Sequence, residues 1–407
     1  MIGAVMAARR PELTPPAGPL ERLPEEWAEV LAGWGQPRFR ALQVFRWIHL
    51  RNVLDPEQMT DIPKALRARL AEEGLVAPMT VAHAHRSADG TRKLLLRLTD
   101  GKDIETVLLP QGAPADLTQT DDDLEAEGDA GASAPSGDAG AAVPPDAAPG
   151  PPRAAISQCI STQVGCAMGC VFCASGVAGL KRHLTAAEIV GQVLVGRAQA
   201  DAHERVRNVV LMGMGEPLHN YDAVARALVL LSHGDGIGLS TRRVTLSTSG
   251  LVPQLDRLGR DFGGLVQLAV SLHAVTDEQR SALMPINRKH PLEELMAALR
   301  RYPLPPRRRI TIEYTLIAGK NDDPRDAIKL AELLAGIPVK VNLIPLNSVT
   351  DSPLAAPDWD GVERFQQRLH ASGIAAFVRR TRGDDIAAAC GQLALHGAAR
   401  KLRLPVA

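Results

Sequence analysis

The stretch "STQVGCAMGCVFCAS", residues 161–175, puts Cys166, Cys170 and Cys173 on one short segment of a 407-residue chain that has only five cysteines. It follows "ISQCISTQ" (156–163), which reads as a β-strand, and precedes "TAAEIVGQVLVGRAQA" (185–200), which reads as a helix. Thr185, with Glu188 three residues on, has the capping-box pattern that starts such a helix. The three thiols therefore lie on a loop at the C-terminal end of a strand. Three thiolates so spaced suit iron–sulfur ligation, and three ligands leave one iron of a four-iron cluster open to a substrate or cofactor. The competing reading is a structural zinc with Cys159 as fourth ligand. Zinc sites usually draw two close pairs from separate places, whereas here three ligands share one loop.

Outward from this segment, strand-like and helical runs alternate: "VRNVVLMG", "YDAVARALVLLSH", "RRVTLST", "GGLVQLAVSLHA", "PLEELMAALRRY", "RRITIEYTLI", "PRDAIKLAELLAG", "VKVNLIPLN", "DGVERFQQRLHASG" and "IAAFVRR". Repeated β-α units predict a parallel sheet over 154–395, either a barrel or an open doubly wound sheet, with ligands at the strands' C-terminal ends. Upstream, "RFRALQVFRWIHLRN" (38–52) has apolar residues at mostly helical spacing, so residues 21–77 are read as a small helical domain. In "TRKLLLRLTDGKDIETVLLP" (91–110) two β-rich runs flank Asp100-Gly101, a hairpin signal that assigns 78–110 to a β-hairpin linker. Residues 1–20 are expected to be a disordered N-terminus and 396–407 a C-terminal tail.

Residues 111–153 are rich in Ala, Gly, Pro and Asp, lack aromatic residues, and carry nine acids with no basic residue before Arg153. A disordered acidic insertion is the expectation, because such a segment buries too little apolar surface to order itself. The chain's formal charge is zero, yet without those nine acids 46 basic residues face 37 acidic ones. A body of about +9 suits an anionic partner such as nucleic acid. The sequence has no signal-like apolar run near its start and no uninterrupted apolar stretch near twenty residues. A cytoplasmic protein with no membrane span is therefore expected. In a reducing compartment, clustered cysteines are more often metal ligands or catalysts than disulfides.

Further strand ends carry polar residues: "LMGMGEPL" (211–218), "LSTSG" (246–250), "SLHA" (271–274) and "NLIPLN" (342–347). The C-x3-C-x2-C spacing, with Phe172 before the last cysteine, and "GMGEP" resemble the radical S-adenosylmethionine (SAM) superfamily. Together with "GQPRFRALQVFRWI", "DIETVLLP", "RRVTLSTSG", "PIN" and "RTRGDDIAAACGQLA", they resemble one family within it, the RlmN dual-specificity RNA methyltransferases. The resemblance spans nearly the whole chain. It implies an α/β fold, a partial (βα)6 barrel with a small N-terminal helical domain and a β-hairpin extension.

The resemblance also implies methylation of adenosine C2 in 23S rRNA and in tRNA by a monomer that takes electrons from a donor such as flavodoxin or ferredoxin. One [4Fe–4S] cluster would sit on Cys166, Cys170 and Cys173, and two SAM molecules would be consumed per methylation. Gly215, Glu216, Ser247, Ser271, Leu272, His273 and Asn347 are then expected to contact SAM, with Asn342 nearby as an alternative to Asn347. Adenine C2 is electron-poor and offers no lone pair to a sulfonium methyl, so radical chemistry is needed. By resemblance, Cys390 accepts a methyl group from one SAM, and a 5′-deoxyadenosyl radical from the second abstracts hydrogen from it. The carbon radical adds to C2. Glu105 then removes the C2 proton, and Cys159 resolves the RNA–enzyme bond by a transient disulfide with Cys390. On residue pattern alone Glu105 could be a solvated strand residue, and Cys390 a small buried hydrophobe.

The basic runs 181–183, 300–309 and 379–382 are candidate phosphate contacts. Two other readings stay open. A C8-methylating antibiotic-resistance relative would share every cysteine, and a zinc-stapled RNA-binding module would lack catalysis. A radical methylthiotransferase needs three further cysteines, and only Cys159 and Cys390 remain.

Overall fold

The computed structural model describes residues 11–111, 153–347, 353–379 and 381–393. The acidic insertion, the tails at 1–10 and 394–407, and Arg380 lie outside the described residues.

Three helices, α1 (Pro24–Gly33), α2 (Phe39–His49) and α3 (Lys64–Glu72), form the N-terminal unit. Burial follows the helical period: Trp27, Leu31, Val44, Phe45 and Ile48 are all 0% exposed, and Phe39, at the start of α2, faces water. A three-stranded antiparallel meander comes next, β1 (Met79–Arg86), β2 (Arg92–Leu98) and β3 (Asp103–Pro110). The expected hairpin around Asp100-Gly101 is β2–β3, with Gly101 at φ +79°. The sequence reading omitted β1. Its residues after Met79 are largely exposed and include His83 and His85, so this edge strand has no apolar alternation to reveal it.

Strand β4 (Ala154–Cys159) pairs antiparallel with β3 on one side and parallel with the rest of the sheet on the other. A two-stranded ribbon, β5 (Gln163–Val164) with β6 (Arg182–His183), brackets the cysteine loop and the short helix α4 (Ala174–Ala178). The β-α repeats follow: α5 (Ala186–Gln199), β7 (Glu204–Leu211), α6 (Tyr221–Ser232), β8 (Val244–Thr248), α7 (Val252–Phe262), β9 (Gln267–Ser271), α8 (Asp277–Leu283) and α9 (Leu292–Arg301). Then come β10 (Ile310–Leu316), α10 (Pro324–Leu333), β11 (Val339–Pro345), α11 (Trp359–Ala371) and β12 (Ala376–Val378). The sheet order is β1-β2-β3-β4-β7-β8-β9-β10-β11-β12, with parallel pairing from β4 through β12.

The expected partial barrel is thus present, open between β1 and β12, and carries a seventh, three-residue parallel strand after the six β-α units. The capping box at α5 is formed in both directions, Glu188 N to Thr185 Oγ1 at 3.1 Å and Thr185 N to Glu188 Oε2 at 2.9 Å. The N-terminal unit docks on the barrel through one buried and one half-buried arginine. Arg226 on α6 donates to Glu21 O and pairs with Glu26, each at 2.9 Å, and Arg197 on α5 donates to His49 O at 2.9 Å. No described helix is long and apolar enough to cross a membrane.

Candidate active site

One cavity opens at the C-terminal ends of the parallel strands, and it gathers most of the residues singled out in the sequence. Cys166, Cys170 and Cys173 line it together with Gly215, Glu216, Ser247, Ser271, His273, Asn347 and Cys390. Glycines shape the cysteine loop. Gly165 has φ +76°, and a Cβ there would meet Gly179 O at 1.9 Å; one at Gly176 would lie 2.9 Å from Cys170 N and O. Gly215 is at φ +107° for the same reason, since a Cβ would meet Gln163.

The thiols fit an iron–sulfur cluster. Burial pushes the Cys166 thiol up to about 12 and raises Cys170 and Cys173 as well, and the thiols also repel each other's ionisation. Ionising three desolvated thiols side by side requires a positive centre, which bound iron supplies. A zinc with bonds of about 2.3 Å would hold its sulfurs roughly 3.8 Å apart. Among the described residues only Asp201, His203 and Glu204 bring three ligand atoms within 4.8 Å of one another, and the thiols are more open than that. Those two carboxylates are already paired, with Arg92 meeting Glu204 and also Asp201 at 3.4 Å.

Glu216 is 4% exposed, and both its oxygens accept backbone N–H bonds, from Leu218 at 3.0 Å and Ser249 at 2.7 Å. Its own N–H donates to Gln163 Oε1 at 2.9 Å, which joins the Gly-Glu-Pro turn to the ribbon beside the cysteine loop. His273 adopts φ +57°, accepts from Thr315 N at 2.9 Å through Nδ1, and is held neutral by burial, with its pKa lowered to about 3. Leu272, expected to contact SAM, is instead 0% exposed in the core and does not line the cavity; its N–H donates to Glu313 O at 3.0 Å and its carbonyl accepts from Arg280 Nε at 3.2 Å. Asn347 lines the cavity and donates to Cys390 O at 3.0 Å, whereas Asn342 is buried below it against Glu313.

Cys390 arrives on a C-terminal strap. Ala174 N donates to Gly391 O at 2.8 Å and Ser175 Oγ to Leu393 O at 2.6 Å, which seats Cys390 beside Cys173. The strap's upstream end is tied to the meander: Gly383 N donates to Asp89 Oδ2 at 3.0 Å and Lys93 Nζ to Ala387 O at 3.2 Å. Both Cys390 and Cys159 are free thiols. Cys159 is 7% exposed, and burial followed by the nearby Cys390 pushes its thiol up to about 12.

Glu105 is 3% exposed rather than solvated, with Lys93 Nζ 3.2 Å from its Oε1. Val107 pairs with Cys159, so strand alternation puts Glu105 and Cys159 on one face of the sheet. That face is the inner one, because the intervening Gln158 reaches outward to Gln192 O on α5 at 2.7 Å.

Sequence reading missed two buried charges. Arg280, 0% exposed, donates to Ser249 O at 2.7 Å, Ser271 O and Leu272 O at 3.2 Å, and Asn287 Oδ1 at 2.9 Å, so one guanidinium gathers the ends of β8 and β9. Glu313 lines the cavity from β10; its signal was the Thr311-Glu313-Thr315 alternation inside an otherwise apolar strand. The basic run 300–309 lies away from the cavity. It leads from α9 into the N-terminal end of β10, the pole opposite the cavity, where Arg301 pairs with Asp256 at 2.7 Å and Arg308 donates to Leu265 O at 2.7 Å. Arg379 lines the cavity and Lys181 lies exposed beside β6.

This barrel and cysteine loop define a radical SAM enzyme, and residues 160–331 match the model of the radical SAM superfamily, whose members bind a [4Fe–4S] cluster and SAM. Residues 23–76 match the ribosomal RNA large subunit methyltransferase N-terminal domain. A dual-specificity RNA methyltransferase RlmN of Sorangium cellulosum is 61% identical over 390 residues, 95% of this chain and 98% of the relative. Its counterpart in Anaeromyxobacter dehalogenans is 46% identical over 93% of this chain and 92% of its own length. The crystal structure of a radical SAM methyltransferase from Sphaerobacter thermophilus superposes with a TM-score of 0.79 at 42% identity, covering 93% of this chain and 99% of that one. The chain belongs to the RlmN family of dual-specificity RNA methyltransferases.

Proposed function

We propose that this enzyme methylates C2 of an adenosine in 23S rRNA and in tRNA, with Cys390 as methyl carrier and Cys159 as resolving thiol. The observation that best supports this reading is the strap, which brings Cys390 to the cluster loop while its other end holds the strands bearing Glu105. Cys166, Cys170 and Cys173 would hold the cluster, which when bound and reduced supplies the electron that cleaves SAM. Gly215, Glu216, Ser247, Ser271, His273 and Asn347 would bind and orient SAM in the cavity they line.

The remaining work falls to side chains of this chain. The Cys390 sulfur takes the methyl group, which would give up one hydrogen atom to the radical that SAM cleavage supplies and bond through its carbon to C2, joining protein to RNA by a sulfur–methylene link. Glu105, a carboxylate paired with Lys93, accepts the proton lost from C2. Cys159 then attacks the Cys390 sulfur as a thiolate, so that the sulfur–sulfur bond forms as the sulfur–carbon bond breaks. The electron pair of the broken bond stays with the RNA-bound carbon, which takes up a proton to become the methyl group, and two electrons from the reducing partner return the disulfide to thiols. Arg379 in the cavity wall and the exposed Lys181 beside β6 would contact RNA phosphates. We place the enzyme in the cytoplasm as a monomer, reduced by a donor such as flavodoxin or ferredoxin.

The test is anaerobic purification with iron and sulfide analysis, then incubation with SAM, a reductant and a large-subunit RNA fragment, read by mass spectrometry. Iron with 2-methyladenosine is expected, and 8-methyladenosine overturns the C2 assignment. Cys390→Ala should keep its iron and yield no methylated RNA. Cys159→Ala should accumulate protein covalently joined to RNA; normal turnover without the adduct removes Cys159 from the mechanism.

A further inference from the structure

Glu313 has no part in the reaction just described, yet it is a carboxylate in the wall of the same cavity. It is 4% exposed. Its Oε1 accepts from Asn342 Nδ2 at 3.1 Å, while its Oε2 is closed to water and has no hydrogen-bond partner. Asn342, its register partner on β11, is 6% exposed and leaves Oδ1 unpartnered as well. Two adjacent buried acceptors without donors are costly, and such groups in a native protein call for a partner. No alternative amide orientation relieves the pair, because turning Asn342 would set its oxygen against the carboxylate.

The position of these acceptors indicates the missing donor. Ser271, Glu313 and Asn342 stand on one rung across β9, β10 and β11, and Ser247 lines the cavity one strand further on. Strand alternation turns Thr311, Glu313 and Thr315 to the cavity side, whereas Tyr314 packs outward on Phe365 of α11. The rung is therefore continuous with the serines assigned to SAM, and a carboxylate is the group that captures ribose hydroxyls in nucleotide sites of other folds.

We propose that Glu313 is a SAM-binding residue whose free oxygen accepts a hydrogen bond from the ribose hydroxyls, with Asn342 fixing the carboxylate's orientation. The assignment rests on the reading of the cavity as the SAM site. Its chemistry, an anionic acceptor for a nucleoside donor, would also suit the amino group of the target adenine, and the test separates the two.

The experiment uses Glu313→Gln with its cluster reconstituted anaerobically and iron content matched to wild type. SAM affinity is measured by equilibrium dialysis, beside a SAM analogue lacking both ribose hydroxyls. The variant should bind SAM roughly tenfold to a hundredfold more weakly, as loss of a charge-assisted hydrogen bond implies, and the deficit should vanish with the analogue. Equal SAM affinity in variant and wild type overturns the proposal. If, in addition, only single-turnover methylation of RNA is slowed, and the slowing disappears with purine riboside at the target position, the donor is the adenine amine instead. Should E313Q fail to fold, E313D, which retains the charge but withdraws it by one methylene, is read in the same way. A wild type that binds SAM but makes no methyladenosine overturns the proposed function while leaving the Glu313 affinity test intact.

Discussion

The five cysteines are presented in two different ways. Cys166, Cys170 and Cys173 share one loop, shaped locally by Gly165 and Gly176 and bracketed by the β5–β6 ribbon. Cys159 and Cys390 come from β4 and the C-terminal strap, and only tertiary hydrogen bonds such as Ala174 N to Gly391 O, Ser175 Oγ to Leu393 O and Asn347 Nδ2 to Cys390 O bring them near each other. The first set is held by covalent neighbours, and the second by contacts that can be weakened one at a time. Damage to the loop should therefore remove the cofactor, whereas damage to the strap should leave it bound but idle.

The largest effect should come from the loop. Cys170→Ser should abolish bound iron and activity together, read by iron analysis and methylation; a variant with full iron and normal turnover breaks the comparison. On the other side, the Cys159 thiol is pushed up to about 12 by burial and by Cys390, so near neutral pH little of it is thiolate. Its thiolate fraction rises about tenfold per pH unit below that value, so discharge of a preformed RNA–protein adduct should accelerate from about pH 7 to 9. Iron content should stay constant across that range, and a flat discharge rate would show that another group resolves the adduct.

A smaller loss is expected at Lys93, which bridges Glu105 Oε1 and Ala387 O, each at 3.2 Å. Lys93→Met leaves a buried carboxylate unpaired by this cation and removes one anchor of the strap. Turnover should fall roughly tenfold with iron unchanged, and Lys93→Arg should recover part of it. Smallest of all, Ser175→Ala removes the hydroxyl bonded to Leu393 O, about 1 kcal/mol or a fewfold in rate. Quicker proteolytic cleavage within 384–393, with cluster intact, would sharpen the contrast between loop and strap.

The same contrast explains what the sequence made legible. The barrel's helices and strands announced themselves by period, and the cysteine loop by spacing, because both are local signals. Strand β1 was hidden because its exposed, histidine-bearing residues carry no apolar alternation, whereas the short β12 was legible as the run 374–380. The shared face of Glu105 and Cys159 depends on strand register, and the approach of Cys390 to Cys159 on the strap's remote hydrogen bonds, so residue chemistry alone left Glu105 indistinguishable from a solvated acid. Arg280 gave no periodic sign of gathering two strand ends. Glu313 did leave a trace, an acid inside a parallel strand whose seven residues are all buried.

Strands β3 and β4 pair antiparallel up to Pro110 and Ile156, and Gln111 N donates to Ala155 O at 2.9 Å. Topologically, then, the chain leaves the sheet at residue 111 and re-enters it at 154 with the two stems of this connection already zipped. Entropy charges only about 0.6 kcal/mol for each doubling of such a loop. This junction is therefore a natural grafting port. A fluorescent domain or affinity handle could replace residues 112–152 without disturbing the register that sets Glu105 beside Cys159, giving the enzyme a reporter in a position its own architecture already tolerates.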